Sequence, residues 1–565
     1  MNKKEVAAAL EEIARLMELQ GENPFKTRSY TNVARTIEQL QEDLGAMVAE
    51  KRLRELKGVG EALEQKIEEL VTTGRLVFLE KLRAQFPQTL FELFAIPGLG
   101  PKRIKALYEE LGIDSIDKLE QACSAGTLSQ LKGFSDKIQH KILEGIAFSR
   151  RHAGRHHFNL AERAAEAITS HLLEHGPVRQ LSVAGSLRRK KEVVKDVDIV
   201  ASSDEPAALM DCFVKAPGVA SITGHGETKS SVVLESGIAV DLRVVADAQF
   251  PFALAHFTGS KEHNVVMRQR AKERGLKLNE YGLFGKDDSP TPCDDETAIF
   301  AALDLPYVPP ELREDRGEFT ADLPDLIEAE DLIGVIHCHS TYSDGAHTLA
   351  EMGDAARALG YQYLVISDHS QSAVYAGGLR PEDIARQQAE IAAYNGKQDG
   401  FRILSGIESD IRTDGNLDYD DDVLANLDIV IASVHMKLSM DEEEATARLV
   451  RAIEHSHTHI IGHPTGRLLL TREGYPLDME RIFDACAANG VAVEINANCL
   501  RLDCDWRHLQ RGKEKGVKFA IGPDAHHTDG LAHMKYGLGI ARKGWLERDD
   551  VLNSLSAEEL LAWRR

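Results

Sequence analysis

The chain has 565 residues, of which 43% are hydrophobic and 28% charged, and its formal net charge is −23 at pH 7. This length exceeds what one hydrophobic core supports, so we expect about three to five domains. No apolar run is long enough to cross a bilayer, the first residues follow an amphipathic helical pattern, and the seven cysteines contain no CxxC pair. These features exclude a membrane protein, a secreted precursor and a disulfide framework, and they predict a cytoplasmic location.

The negative charge is unevenly distributed along the chain. Residues 1–318 contain 43 Lys and Arg against 49 Asp and Glu, whereas residues 319–565 contain 24 against 41. The nearly balanced N-terminal part can still present basic faces to a nucleic acid. The acidity is concentrated in the C-terminal part, where metal-binding carboxylates would also have to lie. Net charge alone therefore does not decide for or against DNA.

Three glycine-marked segments recur in the first 150 residues: LKGVGEALEQKIEEL (56–70), IPGLGPKRIKALYEEL (96–111) and LKGFSDKIQHKILEGI (131–146). Each places a tight turn ahead of an amphipathic helix. The first two resemble helix-hairpin-helix motifs, whose backbone N–H groups bind a DNA phosphate, usually with a monovalent cation, without reading the base sequence. We therefore expect DNA contacts at Gly58, Gly60, Gly98, Gly100 and Lys102.

From about residue 158 to residue 245, β-rich runs indicate a mixed sheet. Asp196 and Asp198 lie two apart in one such run, so both carboxylates point to one face of a strand. Asp241 lies in a second run, IAVDLRVV. Carboxylates this close cost energy unless cations lie between them, and three oxygen donors on neighbouring strands suit a pair of Mg²⁺ ions.

A Gly-Ser turn and a basic run precede these aspartates. Gly185 and Ser186 expose backbone N–H groups and a hydroxyl to phosphate, and Arg189 can add a bidentate clamp. The alternative is a surface strand with solvated acids, because the pattern DxD alone is common. The turn, the paired arginines and the third aspartate favour a phosphate-handling metal site.

Residues 1–318 resemble the family X DNA polymerases, the group that includes DNA polymerase beta. The resemblance rests on residues 185–200, on HFTGSKEHNVVMR (256–268) and on LNEYGLF (278–284). It implies a nucleotidyltransferase palm in which the three aspartates hold two Mg²⁺ ions, for which Mn²⁺ can substitute. It also implies that a dNTP contacts Gly185, Ser186, Arg189, Phe257, Gly259, Asn264 and Arg268. His256 stands where the family commonly has Tyr or another aromatic or apolar residue, so selection against ribonucleotides stays open, with a structural histidine as the alternative.

The same resemblance raises a lyase activity. In members that cleave abasic sites as deoxyribose-phosphate lyases, a lysine in the second helix of the first hairpin attacks the sugar. Lys66 falls at that position, and Lys26 and Tyr30 align with supporting residues. Such a lysine needs a lowered pKa, and the glutamates of LEQKIEEL are expected to raise it. A solvated helix lysine is therefore the alternative.

From residue 334 onward, seven short apolar runs alternate with stretches long enough for a helix, which predicts parallel strands with helical crossovers. Thirteen of the 22 histidines lie after residue 334, many of them where an apolar run ends. Side chains at the C-terminal ends of barrel strands converge on one mouth. Imidazoles with few carboxylates suit Mn²⁺, Zn²⁺ or Fe²⁺, so a metal site is predicted at that mouth.

Residues 334–565 resemble the polymerase and histidinol phosphatase (PHP) domain, a distorted barrel of seven parallel strands that holds up to three metal ions, Mn²⁺ or Zn²⁺. The resemblance implies one ion at His337, His339, Glu408 and Asp524, a second at Glu408, His435 and His463, and a third at Asp344, His369 and His526. Glu494 is expected to support this set from outside it. Structural or surface roles are expected for His455, His457, His459 and His527, and a core position for Cys338.

The predicted fold is a multidomain α+β and α/β chain. Its expected parts are a lyase-like helical domain (1–85), a helix-hairpin-helix fingers-type domain (86–157), a palm (158–245), a thumb-type domain (246–318), a linker (319–333) and a seven-stranded (β/α) PHP barrel (334–565).

The resemblance implies a DNA-directed DNA polymerase that fills short gaps in base excision repair. The barrel would add Mn²⁺-dependent 3′→5′ exonuclease activity, with abasic-site endonuclease or 3′-phosphatase activity as further options. We expect gapped or nicked DNA and dNTPs as partners, and a monomer associated with the nucleoid. The alternatives are a PHP phosphatase for a small phosphate monoester tethered to DNA, which the three aspartates argue against, and a repair scaffold with a non-catalytic barrel, which the intact ligand set argues against.

Overall fold

The computed structural model describes residues 1, 3–38, 40 and 42–563. The chain forms two compact units, residues 1–153 and residues 154–565. The last two residues of the predicted barrel lie outside the described residues. Within the described ranges, no helix combines the length and the apolar character that crossing a bilayer requires.

The first unit is helical. Its α-helices are α1 (Lys3–Gln20), α2 (Pro24–Glu38), α3 (Leu44–Ala49), α4 (Glu61–Thr73), α5 (Val77–Arg83), α6 (Pro101–Leu111), α7 (Ile116–Ser124) and α8 (Asp136–His152). Helices α1 to α5 bury their apolar faces in one core, and a second core extends from the turn at 88–95 to α8.

Glycine turns begin the helices of the two predicted hairpins. Gly58 and Gly98 have φ values of +90° and +83°, a left-handed conformation that favours glycine. α4 begins directly after Gly60, and α6 begins after Gly100 with Pro101 in its first turn. Because the first N–H groups of a helix have no intrahelical acceptor, both turns present amide donors at a helix N-terminus.

The second unit begins with the region predicted as the palm, which is called the palm below. Its elements are β1 (His156–His157), α9 (Phe158–His175), β2 (Gln180–Val183), α10 (Gly185–Arg188), β3 (Val193–Val194), β4 (Asp196–Ser202), α11 (Pro206–Val214), β5 (Val219–His225), β6 (Lys229–Leu234) and β7 (Ala239–Val245). The main sheet has the order β2-β4-β7-β6-β5. β4 and β7 are parallel, and the other neighbours are antiparallel.

The region predicted as the thumb-type domain follows and is called the thumb below. It contains α12 (Phe250–Thr258), α13 (Lys261–Glu273), β8 (Lys277–Asn279), β9 (Gly282–Phe284), β10 (Pro290–Thr291) and α14 (Glu296–Ala302). Its buried centre is ionic as well as apolar. The Arg313 side chain is fully buried, and its Nη1 lies 2.5 Å from Glu296 Oε1. Glu296 also accepts from Arg188 of α10, 2.7 Å away, so this pair fastens the thumb to the palm.

The C-terminal part is a barrel of alternating strands and helices, as predicted. Its strands are β11 (Gly334–Cys338), β12 (Tyr363–Ile366), β13 (Arg402–Asp410), β14 (Ile429–Ser433), β15 (Ile460–Ile461), β16 (Ala492–Asn496) and β17 (Phe519–Gly522). Its helices are α15 (Leu349–Ala358), α16 (Pro381–Asn395), α17 (Asp421–Leu424), α18 (Glu442–Ile453), α19 (Met479–Asn489), α20 (Trp506–Glu514), α21 (Met534–Lys543) and α22 (Ala557–Trp563).

The seven barrel strands pair in chain order, all parallel. A parallel bridge between Cys338 and Ala525 joins the end of the first strand to the segment after the last, so the barrel is nearly closed. Cys338 is fully buried, as expected. The segment predicted as a linker packs on this barrel, since Ile327 is buried and its N–H donates to the carbonyl of Leu546 at 3.0 Å.

Candidate active sites

Three carboxylates meet on the palm sheet. Asp198 of β4 lies directly opposite Asp241 of β7, and Asp196 lies two residues earlier on the same face of β4. Burial and the charges of the other two aspartates raise the pKa of Asp198 to about 6. Lys229 Nζ lies 2.6 Å from Asp241 Oδ2 and offsets part of the repulsion. Crowded carboxylates of this kind fit divalent cations, which would relieve the repulsion.

The Gly-Ser turn lies against this carboxylate group. Gly185 has a φ of +61°, and a Cβ atom placed on it would lie 2.1 Å from Asp198 Oδ2. Only glycine therefore fits beside the aspartate at this position. Ser186 follows it in α10, so the turn brings the start of this short helix next to the carboxylates.

Arg189 is held by other protein groups. Its Nε donates to Glu314 Oε1 at 3.0 Å, and its Nη1 donates to the carbonyl of Thr258 at 2.7 Å. The phosphate contact implied by the family resemblance would require at least one of these bonds to exchange.

The predicted nucleotide-binding loop is stiffened from within. The Asn264 amide donates to the carbonyls of His256 and Gly259 at 2.7 and 3.1 Å. A Cβ atom on Gly259 would lie 2.8 Å from Asn264 Oδ1, so the loop packs too closely for a larger residue. The Arg243 guanidinium lies 4.1 Å from the centre of the Phe257 ring.

His256 lines a small cleft together with Asn264 and Arg268. Burial is the main cause that lowers the pKa of His256, which favours a neutral imidazole there.

Lys66 lies on α4 with its Nζ donating to the carbonyl of Ala62 at 3.0 Å and lying 4.8 Å from the centre of the Phe78 ring. Burial, and then the charge of Lys26, lower its pKa, and only Glu69 opposes them. The expectation that the neighbouring glutamates leave this pKa raised is therefore wrong in its net direction, although Glu69 acts as expected. Glu64, for example, is paired with Arg54.

Glu408 is the centre of the barrel cluster. Its carboxylate oxygens lie close to one nitrogen of each of five histidines, at 3.4 Å from His337, 3.8 Å from His339, 2.9 Å from His369, 3.3 Å from His435 and 2.9 Å from His463. These residues come from the first five strands or directly follow them, so the parallel strands bring them to one mouth, as predicted.

The remaining predicted ligands complete the ring around Glu408. Asp524 Oδ1 lies 3.2 Å from His339 Nε2, and Asp344 Oδ1 lies 3.2 Å from His526 Nε2. Potential ligand atoms within 4.8 Å of one another form three groups: His339, Asp344, His369 and His526; His337, His339 and Asp524; and His369, Glu408 and His435. The partition that the family resemblance implies differs from this one. His339 and His369 each belong to two groups, whereas Glu408 belongs to one instead of two and His463 belongs to none of the three.

Carboxylates outside this ring orient two of its histidines. Glu494 Oε1 lies 2.5 Å from His337 Nδ1, and Asp410 Oδ1 lies 2.5 Å from His435 Nδ1. In each imidazole the other nitrogen, Nε2, is then left toward Glu408, as in metal sites whose histidines are fixed by a carboxylate. The sequence pointed to Glu494 but missed Asp410, although Asp410 lies two residues after Glu408 on the same face of β13.

Several buried atoms of the cluster have no hydrogen-bond partner among the described residues. They are His337 Nε2, both ring nitrogens of His339, His369 Nδ1, Glu408 Oε2 and His463 Nδ1. His369 Nδ1 and Glu408 Oε2 approach to 2.9 Å without hydrogen-bond geometry. Unpaired buried polar atoms are costly, and imidazole with carboxylate is a donor set for divalent transition metals. The cluster therefore fits metal ions.

The protonation of the cluster also suits a cation. Burial and the neighbouring His526 and His369 lower the pKa of His339 to about 3, so its imidazole stays neutral and keeps one nitrogen lone pair for a cation. Burial alone would lower the pKa of His435, but Glu408 and Asp410 raise it to about 10. A bound cation would replace that proton.

The other barrel histidines lie apart from the cluster. His459 is buried and accepts the N–H of Val430 on Nδ1 at 3.0 Å, and His455 lies 3.3 Å from Asp421. Arg501, which the sequence reading did not single out, lies beside the cluster with Nε 3.6 Å from Asp524 Oδ2.

This combination defines a class: a polymerase-beta-type nucleotidyltransferase joined to a PHP barrel. Four family models match the chain, in the order in which the corresponding parts were predicted. They are a helix-hairpin-helix domain at residues 1–76, a SAM-like helix-hairpin-helix tandem at 91–147, the DNA polymerase beta thumb at 253–314 and the PHP domain at 336–498.

The similarity to a Bacillus subtilis (strain 168) protein extends over the whole chain. The chain is 40% identical over 568 residues to the DNA polymerase/3′-5′ exonuclease PolX of that organism, and the match covers 100% of this chain and 99% of that protein. The chain therefore belongs to the PolX family of DNA polymerases with a PHP domain.

Two further similarities are partial. A probable phosphatase of Thermoanaerobacter sp. (strain X514) is 30% identical over 243 residues, 39% of this chain and 89% of that protein. A crystal structure of Leishmania infantum polymerase beta in a ternary complex is 24% identical with a TM-score of 0.27, covering 40% of this chain and 98% of that one.

Proposed function

We propose that this chain is a DNA-directed DNA polymerase that fills short gaps during repair and that its barrel removes nucleotides from 3′ ends. The observation that carries the polymerase proposal is the pairing of Asp198 with Asp241 beside Gly185. Two Mg²⁺ ions held by Asp196, Asp198 and Asp241 would activate the primer 3′-hydroxyl and neutralise charge on the dNTP.

The palm and thumb residues would hold the nucleotide for this reaction. Gly185 and Ser186 offer an N–H group and a hydroxyl to the triphosphate, and Arg189 joins them by exchanging its bond to Glu314. Asn264 fixes the loop carrying Phe257 and Gly259, so that the sugar and base meet a preformed surface. Arg268 would line the templating side.

The barrel would hold up to three Mn²⁺ or Zn²⁺ ions through the nine predicted ligands: His337, His339, Asp344, His369, Glu408, His435, His463, Asp524 and His526. When bound, these ions polarise a phosphodiester and lower the pKa of water. Glu494 and Asp410 keep two imidazoles in the tautomer that leaves Nε2 free, and Arg501 is placed to meet a phosphate beside Asp524.

The rim of the barrel favours a DNA end over a small phosphate monoester. Val374 and Tyr375 are 82% and 69% exposed, and the Tyr375 ring lies 6.2 Å from the ring of His369. An exposed aromatic ring beside the cluster suits the stacking of an unpaired base, which contributes about 1–3 kcal/mol per base. A phosphatase for small monoesters is the second candidate, supported by the partial similarity to probable phosphatases.

The first unit would bind the gapped or nicked DNA through the turns at Gly58, Gly60, Gly98 and Gly100, with Lys102 at a phosphate and a monovalent cation in each turn. Such contacts do not read sequence. We further propose that the chain works as a monomer in the cytoplasm, at the nucleoid.

One gapped duplex tests both activities. Extension is measured with dNTPs and Mg²⁺, and shortening of the 3′ end is measured with Mn²⁺ alone. Asp196→Ala with Asp198→Ala should abolish only extension, and His337→Ala with His339→Ala only shortening. His455→Ala with His457→Ala, a histidine pair of the same spacing outside the cluster, is the matched control and should retain both.

Two results would refute parts of this assignment. If both activities survive either double substitution, the two-site proposal fails. Tyr375→Ala should weaken shortening of a single-stranded 3′ end more than cleavage of p-nitrophenyl phosphate. If it weakens both equally, the proposed preference for a DNA end is wrong and the result favours a phosphatase for small monoesters.

A further inference from the structure

The polymerase part and the barrel share a charged junction. Residues 189–192 all contact the barrel. They begin at the last residue of the segment 185–189, which is predicted to bind phosphate. The Arg189 carbonyl accepts from Lys543 Nζ at 3.0 Å, Lys190 packs against Gly539, Lys191 lies 5.2 Å from the Trp506 ring, and Glu192 accepts from Trp506 Nε1 at 3.0 Å and Arg507 Nη1 at 2.8 Å.

Lys543, at the end of α21, is the most enclosed cation of this junction. Its side chain is fully buried. Its ammonium donates to Glu314 Oε1 at 2.6 Å, to the Arg189 carbonyl at 3.0 Å and to the Glu311 carbonyl at 3.1 Å. These three acceptors match the three N–H donors of a lysine. A buried charge with a complete set of partners is strongly destabilised when one partner is removed.

Glu314 connects this lysine to the nucleotide side. Its carboxylate also lies 3.0 Å from Arg189 Nε and 3.5 Å from Lys191 Nζ. Burial alone would raise the pKa of Glu314, but Lys543, Arg189 and Lys191 lower it to about 2. One carboxylate is therefore shared by three cations. One of these, Arg189, is the residue that the proposed function places at the triphosphate.

We infer that Lys543, a residue of the barrel, is a positioning residue of the polymerase site. The Lys543 ammonium attracts the Glu314 carboxylate and binds the Arg189 carbonyl. Because this weakens the attraction between Glu314 and the Arg189 guanidinium, the guanidinium can move from Glu314 to a phosphate. Without the lysine charge, Glu314 binds Arg189 more tightly and the turn at 185–189 loses a fixed point. This inference rests on the proposed polymerase function.

The test compares the dNTP dependence of extension in the full chain. Lys543→Met removes the charge and keeps a long unbranched side chain. It should raise the KM for dNTP about 10-fold, within the roughly 5- to 150-fold range of coupling between sites, with little change in kcat or in the KM for gapped DNA. Shortening of the 3′ end with Mn²⁺, which the barrel performs, should stay within about twofold.

Two further variants separate positioning from folding. Lys513→Met is the matched control, because Lys513 is a barrel lysine paired with Glu547 at 2.6 Å and Asp550 at 2.9 Å; it should leave the KM for dNTP unchanged. Lys543→Met with Glu314→Gln removes the carboxylate that captures Arg189, so the KM should return toward that of the unmodified chain.

Three outcomes overturn the inference. An unchanged KM for dNTP in Lys543→Met does so directly. A parallel fall of extension and shortening does so by showing a loss of fold, and a double variant no better than Lys543→Met removes the route through Glu314. If the unmodified chain fails to extend a primer, the proposed polymerase function fails instead, which is a separate result.

Discussion

The carboxylate of Glu494 allows a sharp prediction because its two oxygens have different partners. Oε1 accepts from His337 Nδ1 at 2.5 Å, and Oε2 accepts from the backbone N–H of His463 at 2.6 Å. In Glu494→Gln one oxygen becomes an NH₂ donor. The backbone N–H cannot become an acceptor, so the amide oxygen must stay on that side and the NH₂ must face His337.

This change would reverse the tautomer of His337. Nδ1 would have to accept, and Nε2 would carry the proton and lose the lone pair that faces Glu408. We expect metal affinity to fall about 100-fold, the upper end of what changes at such supporting residues produce, or about 2.7 kcal/mol.

Asp410→Asn is the matched control for this argument. Asp410 Oδ1 accepts from His435 Nδ1, and Oδ2 has no hydrogen-bond partner among the described residues. The asparagine amide can therefore keep its oxygen on His435 and turn its NH₂ to the free side. Only the charge is lost, so we expect about a 10-fold fall in affinity.

The two variants are compared by titrating the metal-depleted chain with Mn²⁺. Free Mn²⁺ is followed by electron paramagnetic resonance, and shortening of the 3′ end is measured at each concentration. Extension with Mg²⁺ serves as the internal control and should not change. Equal shifts of the Mn²⁺ midpoint in the two variants would refute the tautomer argument, and no shift in either would refute the supporting role of both carboxylates.

Three further predictions follow from buried or shifted groups. The pKa of Glu314 is lowered from 4.5 to about 2, so Glu314 contributes about 3 kcal/mol of stability above pH 4.5 that is lost as the pH falls toward 2. In urea unfolding, the Glu314→Gln chain should therefore lose less stability over that pH interval than the unmodified chain. Equal losses would contradict this prediction. Lys66→Ala should abolish borohydride trapping on abasic DNA, and trapping that persists would exclude Lys66 as the nucleophile. Glu296→Gln leaves the buried Arg313 without its carboxylate and should lower the free energy of unfolding in urea by about 3–5 kcal/mol. Asp304→Asn, in an exposed pair, should lower it by under about 1 kcal/mol. Similar losses in the two variants would show that burial does not set the difference.

The repeating parts of the fold and the metal clusters were predictable from sequence. Asp196 and Asp198 are two apart in a strand, so the pleat alone places them on one face. His337 and His339 also meet, but at an irregular strand end, where β11 stops at Cys338 and His337 has a φ of +72°. Barrel ligands such as Glu408 and His463 were found because parallel strands end at the same mouth. Periodicity and strand ends are local signals, and a single sequence contains them.

The missed features depend on which distant segments meet. Lys543 and Glu314 are 229 residues apart, and no local pattern marks either one as the partner of the other. For Lys66 the helix neighbours suggested the wrong direction, because burial and Lys26 from another helix decide its pKa. Arg189 looked free for phosphate, but the thumb and Glu314 hold it. Tertiary packing thus decides the electrostatics that the sequence leaves open.

The near-closed barrel also constrains the order in which the two metal sites can form while the chain is being synthesised. His339 donates its N–H to the carbonyl of Ala525 at 2.9 Å, and Asp524 and His526 on either side of Ala525 complete the cluster around Glu408. A nascent chain on the ribosome therefore has its palm carboxylates long before the last strand leaves the exit tunnel. The metal cluster of the barrel is therefore complete only after the palm carboxylates, and Lys543, which follows the last strand, reaches the polymerase site later still.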